Sequence, residues 1–181
     1  VPAPVKPKGE EDHIVGMNIC SLWRNGTHFG WSCVSPYEDA ELALGYYDEG
    51  NTETADWEIK YMVEHGIDFQ AFCWYADNSN APLYHLNNSM HLHDGYLYAD
   101  YSDAMKYCLI WECANAARPQ NFDAWKNYYV PYLMENYFKD SRYMSIDNQL
   151  VLAVFGASKL SEQLGGASKV KECFDYLEEE A

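Results

Sequence analysis

Two carboxylates follow apolar runs in this chain, where the residue type alone could support chemistry. Glu112 comes directly after the run 106–111, and Asp77 comes shortly after Trp74 and Tyr75, which end another run. Glycoside hydrolysis uses two carboxyl groups, about 5 Å apart for retention and roughly 6.5–9.5 Å apart for inversion. Glu112 is therefore a candidate catalytic acid, with recognition of a sugar hydroxyl or simple solvation as alternatives. Asp77 is a candidate for substrate binding, with solvation on a loop as the alternative.

Aromatic rings with a polar group are abundant, since the chain has 16 Tyr and 6 Trp against 7 Phe. Such rings suit partly wet surfaces. Sugar sites use them because the C–H face of a sugar stacks on a ring while its hydroxyls find donors and acceptors. Trp74, Tyr75 and Trp111 end predicted strands, so they are candidate stacking platforms, with packing between strands and helices as the alternative. Tyr46 and Tyr47 precede the first complete helix and are candidates for the rim of the same cleft.

The spacing His91-x-His93 is the one metal-like pattern in the sequence. In an extended segment it would put both imidazoles on one side. A metal site also needs a third ligand and an oriented second shell, and nothing else nearby in the sequence supplies them. We therefore expect an ordinary pair of loop histidines, with no metal and no cofactor. No Ser or Cys stands in a recognisable nucleophile motif.

The chain is strongly acidic. Asp and Glu outnumber Lys and Arg 28 to 12, which gives a formal net charge of −16. Such a field repels phosphate, so nucleic acid and anionic membrane surfaces are poor partners, whereas a neutral polysaccharide is unaffected. No apolar run approaches the ~20 residues of a membrane span, and no signal-peptide pattern is present.

The six cysteines do not form the pattern of a disulfide scaffold or a zinc site. The chain is not a short Cys-dense sequence, and it contains no C-x-x-C pair. Cys20, Cys73 and Cys108 lie inside predicted strands, where a thiol behaves as a small apolar side chain. We expect most of the cysteines to be reduced core residues.

The order of elements predicts a parallel α/β fold. Residues 1–12 hold three prolines and no apolar periodicity, which predicts a linker or extended arm before a domain over 13–181. Ile14–Ser21 predicts a buried strand, and Asn51 or Thr52 begins a helix that stops at Gly66. Further strands are predicted at 67–75, 106–111 and 150–155, with a helix from about 121 and another after 166.

Two architectures fit this order. The loops after the strands are long and aromatic-rich, which suits a (β/α) barrel of TIM type with its site at the carboxyl ends of the strands. About four β/α units would be half of such a barrel. A flavodoxin-like open sheet competes, but no glycine-rich phosphate-binding motif occurs. Pro131 should kink the helix from 121 because it removes a backbone donor.

Dispersed motifs over about residues 40–181 resemble the WbsX-type, glycoside hydrolase family 99-like proteins. The segment LGYYDEGNTETADWEIKYMVEHGIDFQAFCWYAD is similar to the family's GxYD-like element, the helix after it and the turn into a strand that ends in aromatics. CLIWECAN, YFKDSRYMSIDNQLVLAVF and LGGASKVKECFDYLEEE continue the resemblance in the same order.

The resemblance implies a (β/α)8 barrel that acts on α-linked glycans, as an endo-mannosidase-like or polysaccharide-processing protein outside the cell or at its surface. It places the catalytic carboxylates in a Trp-Asn-Glu-Trp-like motif, which does not occur here. We therefore expect the N-terminal half of a barrel, which contributes binding loops. Trp111 and Asn115 match the family's Trp-Ala-Asn-Glu-Asn-like element, whereas Glu112 is displaced by two positions from the usual acid.

A function from a different class is a non-catalytic carbohydrate-binding or scaffold module. A half-barrel exposes two sheet edges and part of its apolar interior. It would then dimerise or pair with the missing half-barrel. An open α/β domain with a small-molecule role is a third possibility, for which no motif speaks.

Overall fold

The computed structural model describes residues 1–8, 13–26, 30–37, 39, 42–84 and 87–181. The chain divides into two compact units. Unit 1 comprises Val1–Phe72 and Asn87–Tyr107, and unit 2 comprises Cys73–Leu86 and Cys108–Ala181. Among the described residues, no helix is both long and apolar enough to cross a bilayer.

Four strands form a sheet in the order β1-β2-β3-β6, where β1 is Gly16–Ile19, β2 is Phe69–Trp74, β3 is Lys106–Glu112 and β6 is Leu152–Phe155. β1 runs parallel to β2, and β3 runs parallel to β6. A separate antiparallel pair joins β4 (Ser145–Ile146) to β5 (Gln149–Leu150). The parallel strands and their helices fit the predicted α/β class. Closure into a barrel stays a prediction.

The first helix, α1 (Thr52–Glu64), begins and ends where the sequence predicts. The Asn51 side chain accepts the backbone N–H groups of Glu53 (2.8 Å) and Thr54 (3.4 Å), which caps the amino end. Gly66 follows the helix with a φ of 77°, a conformation that favours glycine. The buried residues of α1 lie on one face: Ala55, Asp56, Ile59 and Val63.

Strand β1 is more exposed than its apolar sequence predicts, so the expectation of a buried strand over Ile14–Ser21 is wrong. The side chains of Ile14, Val15 and Met17 are 62%, 43% and 41% exposed. Within the sheet of the described residues, β1 is the edge strand next to β2. Apolar composition therefore does not report burial here, because none of the described residues covers these side chains.

Unit 2 is built around tryptophan and tyrosine. Trp111 stacks on Trp125, with ring centroids 5.2 Å apart and an interplanar angle of 18°. Trp74 donates from Nε1 to the Tyr137 hydroxyl at 2.9 Å, and Trp125 donates from Nε1 to the Cys173 carbonyl at 2.7 Å. Large rings bury much apolar area but carry donors that need partners. The partners of Trp74 and Trp125 are supplied from within the same unit, whereas Trp111 Nε1 is buried without a hydrogen bond to the described residues.

The helix with Pro131 is irregular. It consists of α2 (Phe122–Ala124), a π-helical turn Trp125–Tyr129, α3 (Val130–Leu133) and a second π-helical turn Met134–Phe138. Proline lacks the N–H that an α-helix would use, and wider turns are one way for a helix to adapt. The predicted disturbance thus takes the form of widened turns on both sides of Pro131. Two further helices follow, α4 (Ala157–Leu164) and α5 (Ala167–Glu180).

All six cysteines are thiols. Cys108, Cys113 and Cys173 are buried and Cys73 is half-buried, as expected for core residues. Cys20 and Cys33 are exposed. The expectation of a core position is therefore wrong for Cys20, which follows the exposed edge strand β1. Burial raises the pKa of Cys108 to about 11 and that of Cys113 to about 12.

Gly156 is a position at which we expect any side chain to destabilise unit 2. It has a φ of 76°, and an added Cβ would lie 2.7 Å from the backbone nitrogen of Ala114. We predict that Gly156→Ala lowers the free energy of unfolding by about 2–3 kcal/mol, measured by urea denaturation. Gly165→Ala is the matched control, because φ is also positive (91°) but nothing lies within 4 Å of the added carbon. Equal losses in the two variants would contradict the close contact.

Candidate functional site

Glu112 holds together the loop that follows β3. Its carboxylate is 6% exposed and accepts the backbone N–H groups of Ala114 (2.9 Å), Asn115 (3.0 Å) and Ala116 (2.8 Å). The Asn115 side chain adds a longer contact of 3.4 Å. A carboxylate bound by several backbone N–H groups is strongly held in one orientation. The oxygens that a catalytic acid would present to a substrate are thus used inside the loop.

Arg118 completes this loop from the carbonyl side. Its Nη1 lies 2.6 Å from the Cys113 carbonyl oxygen, 3.2 Å from that of Ala116 and 3.3 Å from that of Ala114. The Cys113 N–H donates to the Phe155 carbonyl at 2.8 Å and so continues the β3–β6 pairing. Glu112 therefore binds backbone N–H groups of this loop, and Arg118 binds backbone carbonyl groups of the same loop. The Arg118 Nε is buried without a hydrogen bond to the described residues.

Asp77 has a similar role after β2. Both oxygens of its carboxylate accept the backbone N–H of Tyr84, at 3.0 and 3.1 Å. This loop also bonds to the loop after β3, since the Ala117 N–H donates to the Ala76 carbonyl at 3.2 Å. The two predicted carboxylates, Asp77 and Glu112, thus both bind backbone within unit 2.

The predicted stacking residues of unit 2 divide into buried and accessible ones. Trp74 and Trp111 are only 2% and 1% exposed, and their rings pack against each other with centroids 6.3 Å apart. The structure places both in the core, which was the alternative for these residues. Tyr75 is half-buried and Asn115 is exposed. Of the predicted binding residues in this unit, Tyr75, Asp77 and Asn115 keep access to solvent.

Unit 1 holds a second group of aromatic residues, which we name the aromatic cluster: Trp23, Trp31, Tyr46 and Tyr47. Trp23 stacks on Trp31, with centroids 4.5 Å apart at 25°. Tyr46 and Tyr47 lie against the same Trp31 ring at 5.4 and 5.1 Å, and Trp31 Nε1 donates to the Tyr47 carbonyl. Trp31 is buried, whereas Trp23 is half-buried and Tyr46 is 40% exposed. The cluster therefore combines a fixed centre with accessible rings.

Polar groups lie directly beside these rings. Arg24 forms a two-oxygen contact with Asp48, from Nε to Oδ1 at 3.0 Å and to Oδ2 at 2.9 Å. A shallow cavity of about 310 Å³ is lined by Leu44, Tyr47, Asp48, Asn51, Glu53, Thr54 and Trp57. The cavity offers ring faces together with carboxylate and amide groups, which are the two kinds of contact that a sugar uses.

A buried acid–histidine cluster lies behind the aromatic cluster. His91 is 1% exposed; its Nε2 lies 2.6 Å from Glu58 Oε2, and its Nδ1 lies 3.9 Å from Glu49 Oε1. Neither contact has the alignment of a hydrogen bond. Burial lowers the pKa of His91, but the two carboxylates outweigh it and the net shift is upward. Burial raises the pKa of Glu49, and it raises that of Tyr47 to about 12.

The predicted His91-x-His93 pair is not extended. Both residues lie in a π-helical turn, His91–Gly95. Residues two apart in a helix face different directions, so the reason for a shared metal no longer applies. Over the described ranges of the chain, no group of three or more His, Cys, Asp or Glu side chains is arranged to hold a metal ion.

Sequence reasoning missed four residues of unit 1: Trp23, Trp31, Glu49 and Glu58. Signals in the sequence could have found two of them. Glu49 stands two residues after Tyr47, and Trp23 lies in the loop that follows β1. Both signals are positional, and only the structure shows that Glu49 is buried beside His91.

We predict that Glu112→Ala destabilises unit 2 by about 2–4 kcal/mol, because three backbone donors lose a charged acceptor. Urea denaturation measures the loss, and hydrogen exchange should accelerate at residues 114–116. Asn115→Ala is the control, since it removes one long contact, and it should cost less than about 0.5 kcal/mol. A native-like Glu112→Ala protein would contradict the structural role of this carboxylate.

Comparison with known proteins gives limited similarity. No protein-family profile matches the chain, and no curated protein sequence matches it. Among solved structures, the chain is similar to the GH99 endo-alpha-mannosidase from Bacteriodes thetaiotaomicron in complex with BIS-TRIS-Propane, at 12% sequence identity and a TM-score of 0.49. The similarity covers 80% of this chain and 42% of that chain, so the chain spans less than half the length of that structure.

Proposed function

We propose that this chain is a glycan-binding portion of a glycoside hydrolase family 99-like protein, and that it binds α-linked polysaccharide through the aromatic cluster of unit 1. The observation that carries the proposal is the cluster itself. Accessible rings at Trp23 and Tyr46 lie on the buried Trp31, next to the Asp48 carboxylate. Apolar ring faces can stack on the C–H face of a neutral sugar, and the acceptors beside them can bind its hydroxyls.

The sequence resemblance supports the same proposal, since Tyr46 and Tyr47 belong to the segment that is similar to the family's GxYD-like element. The resemblance locates the catalytic carboxylates in a motif that these residues do not contain. Glu112, the weak catalytic candidate, accepts three backbone N–H groups instead. We therefore propose endo-mannosidase-like hydrolysis for the full-length protein, outside the cell or at its surface, and binding for this portion.

We expect Tyr46→Ala to weaken binding of soluble α-mannan about tenfold, since loss of a stacked ring costs on the order of 1 kcal/mol. Isothermal titration calorimetry measures the affinity, and a separate assay follows release of reducing sugar. Tyr98→Ala is the matched control, because Tyr98 is a tyrosine of unit 1 that is 73% exposed. Equal losses in both variants, or no binding of any α-linked glycan, would refute the proposal.

A second candidate is a scaffold module that associates through its sheet edges. Apolar side chains are exposed on both edge strands, at Met17 on β1 (41%) and at Phe155 on β6 (58%). Edge strands with exposed apolar side chains favour association with a second copy or with the proposed other half of a barrel.

Sedimentation velocity tests this candidate. We expect a concentration-dependent dimer, and we expect Met17→Lys to shift it toward the monomer because a charge on an edge strand opposes pairing. Tyr61→Lys, at a side chain of α1 that is 45% exposed, is the control. A compact monomer at all concentrations would count against both the scaffold function and an open half-barrel.

A further inference from the structure

The Glu49 carboxylate links the aromatic cluster to the buried acid–histidine cluster. Glu49 Oε2 accepts the backbone N–H groups of Leu22 and Trp23, both at 2.8 Å. In return, the Glu49 N–H donates to the Trp23 carbonyl at 3.1 Å. These three bonds fix the chain at Trp23, the residue whose ring stacks on Trp31. Glu49 is itself 4% exposed and reaches the cluster from beneath.

The other oxygen of the same carboxylate faces His91. Glu49 Oε1 lies 3.9 Å from His91 Nδ1, and His91 Nε2 lies 2.6 Å from Glu58 Oε2 on α1. The backbone N–H of His91 donates to Ser21 Oγ at 3.3 Å, one residue before Leu22. His91 therefore contacts the 21–23 segment directly through Ser21 and indirectly through Glu49.

The charge of this group depends on one proton. The titratable groups that face His91 are Glu49 from the loop before α1 and Glu58 from α1, with the Tyr47 hydroxyl near both carboxylates. From β2, the edge of the His91 ring packs on Phe72, which is neutral. The turn that carries His91 also carries His93 and Asp94, and Asp94 lies 3.6 Å from Arg24. When His91 is neutral, the Glu49 and Glu58 carboxylates, which contact opposite nitrogens of its ring, lose the positive charge between them.

We propose that Glu49 is a positioning residue for Trp23. Protonated His91, which contacts Glu58 through its other ring nitrogen, keeps the Glu49 carboxylate in place. The aromatic cluster is therefore ordered for glycan binding only while His91 is charged. The inference rests on the proposed function and adds a pH dependence to it. As the pH rises through the pKa of His91, loss of the imidazolium leaves the Glu49 and Glu58 carboxylates to repel each other. Glu49 then moves, and its hydrogen bonds to the Leu22 and Trp23 N–H groups weaken.

The direction in which stability changes with pH follows from the pKa shifts of His91 and Glu49. The pKa of His91 is raised above its ordinary value of 6.5, so its stabilising contribution is complete below about pH 6.5 and is lost as the pH rises through the raised pKa. The pKa of Glu49 is also raised, so the folded state holds a proton on Glu49 more readily than the unfolded chain does. Stability from both groups therefore falls as the pH rises.

The experiment follows position 23 directly in the whole chain. The protein is prepared with 5-fluorotryptophan, and the ¹⁹F resonance of Trp23 is assigned with Trp23→Phe. We expect this resonance to titrate with a midpoint above pH 6.5, and binding of soluble α-mannan to fall about tenfold over the same range. His91→Gln should abolish the titration, and Glu49→Gln should shift the resonance at every pH. His65→Gln, at an exposed histidine that ends α1, should behave as wild type.

The outcomes separate the two proposals. A Trp23 resonance that does not titrate in the wild type, or that titrates unchanged in His91→Gln, overturns the inference even if glycan binds. A resonance that titrates as expected while no glycan binds at any pH supports the positioning of Trp23 and refutes the proposed function. The wild-type titration needs Trp23→Phe for the assignment only, so the test does not depend on the folding of Glu49→Gln.

Discussion

Buried carboxylates that accept backbone N–H groups are the interaction on which the loops of both units depend. Glu112 does this after β3 and Glu49 does it beside β1, while the buried Asp56 accepts the N–H of Tyr101 at 2.9 Å. A loop must satisfy its backbone donors when it packs against a core. In this acidic chain, carboxylates supply the acceptors. The acids that look catalytic by position are in large part the groups that shape the loops.

The aromatic residues show the same division of roles. Gln70, Phe72 and Trp74 lie on one face of β2 and are buried, whereas the residues between them are half-buried. Trp111 stacks on Trp125 from the irregular helix. In the aromatic cluster of unit 1, by contrast, Trp31 is buried while its neighbours Trp23 and Tyr46 reach solvent. Rings of one chemical type thus form core in both units, with Phe72, Tyr96 and Tyr107 buried in unit 1, and form accessible surface in the aromatic cluster.

Sequence patterns predicted what local chemistry determines. The Asn51 cap and Gly66 stop fix α1. Asp147 and Asn148, residue types that favour turns, have the positive φ values, 53° and 63°, of a tight hairpin between β4 and β5. The apolar pattern of β1 gave a wrong prediction of burial, because burial there depends on the strand's position at the edge of the sheet. They also missed Glu49 and Glu58, because a buried charge is recognised only by a partner distant in sequence, here His91.

The exposed thiols of Cys20 and Cys33 carry a consequence for any extracellular role. In an oxidising medium, an accessible thiol is open to sulfenic acid formation and to mixed disulfides. Cys20 follows the exposed edge strand β1 directly, so a disulfide there would link two copies at the surface proposed above for non-covalent association. The redox state of the medium would then determine how much of the protein is covalently dimeric.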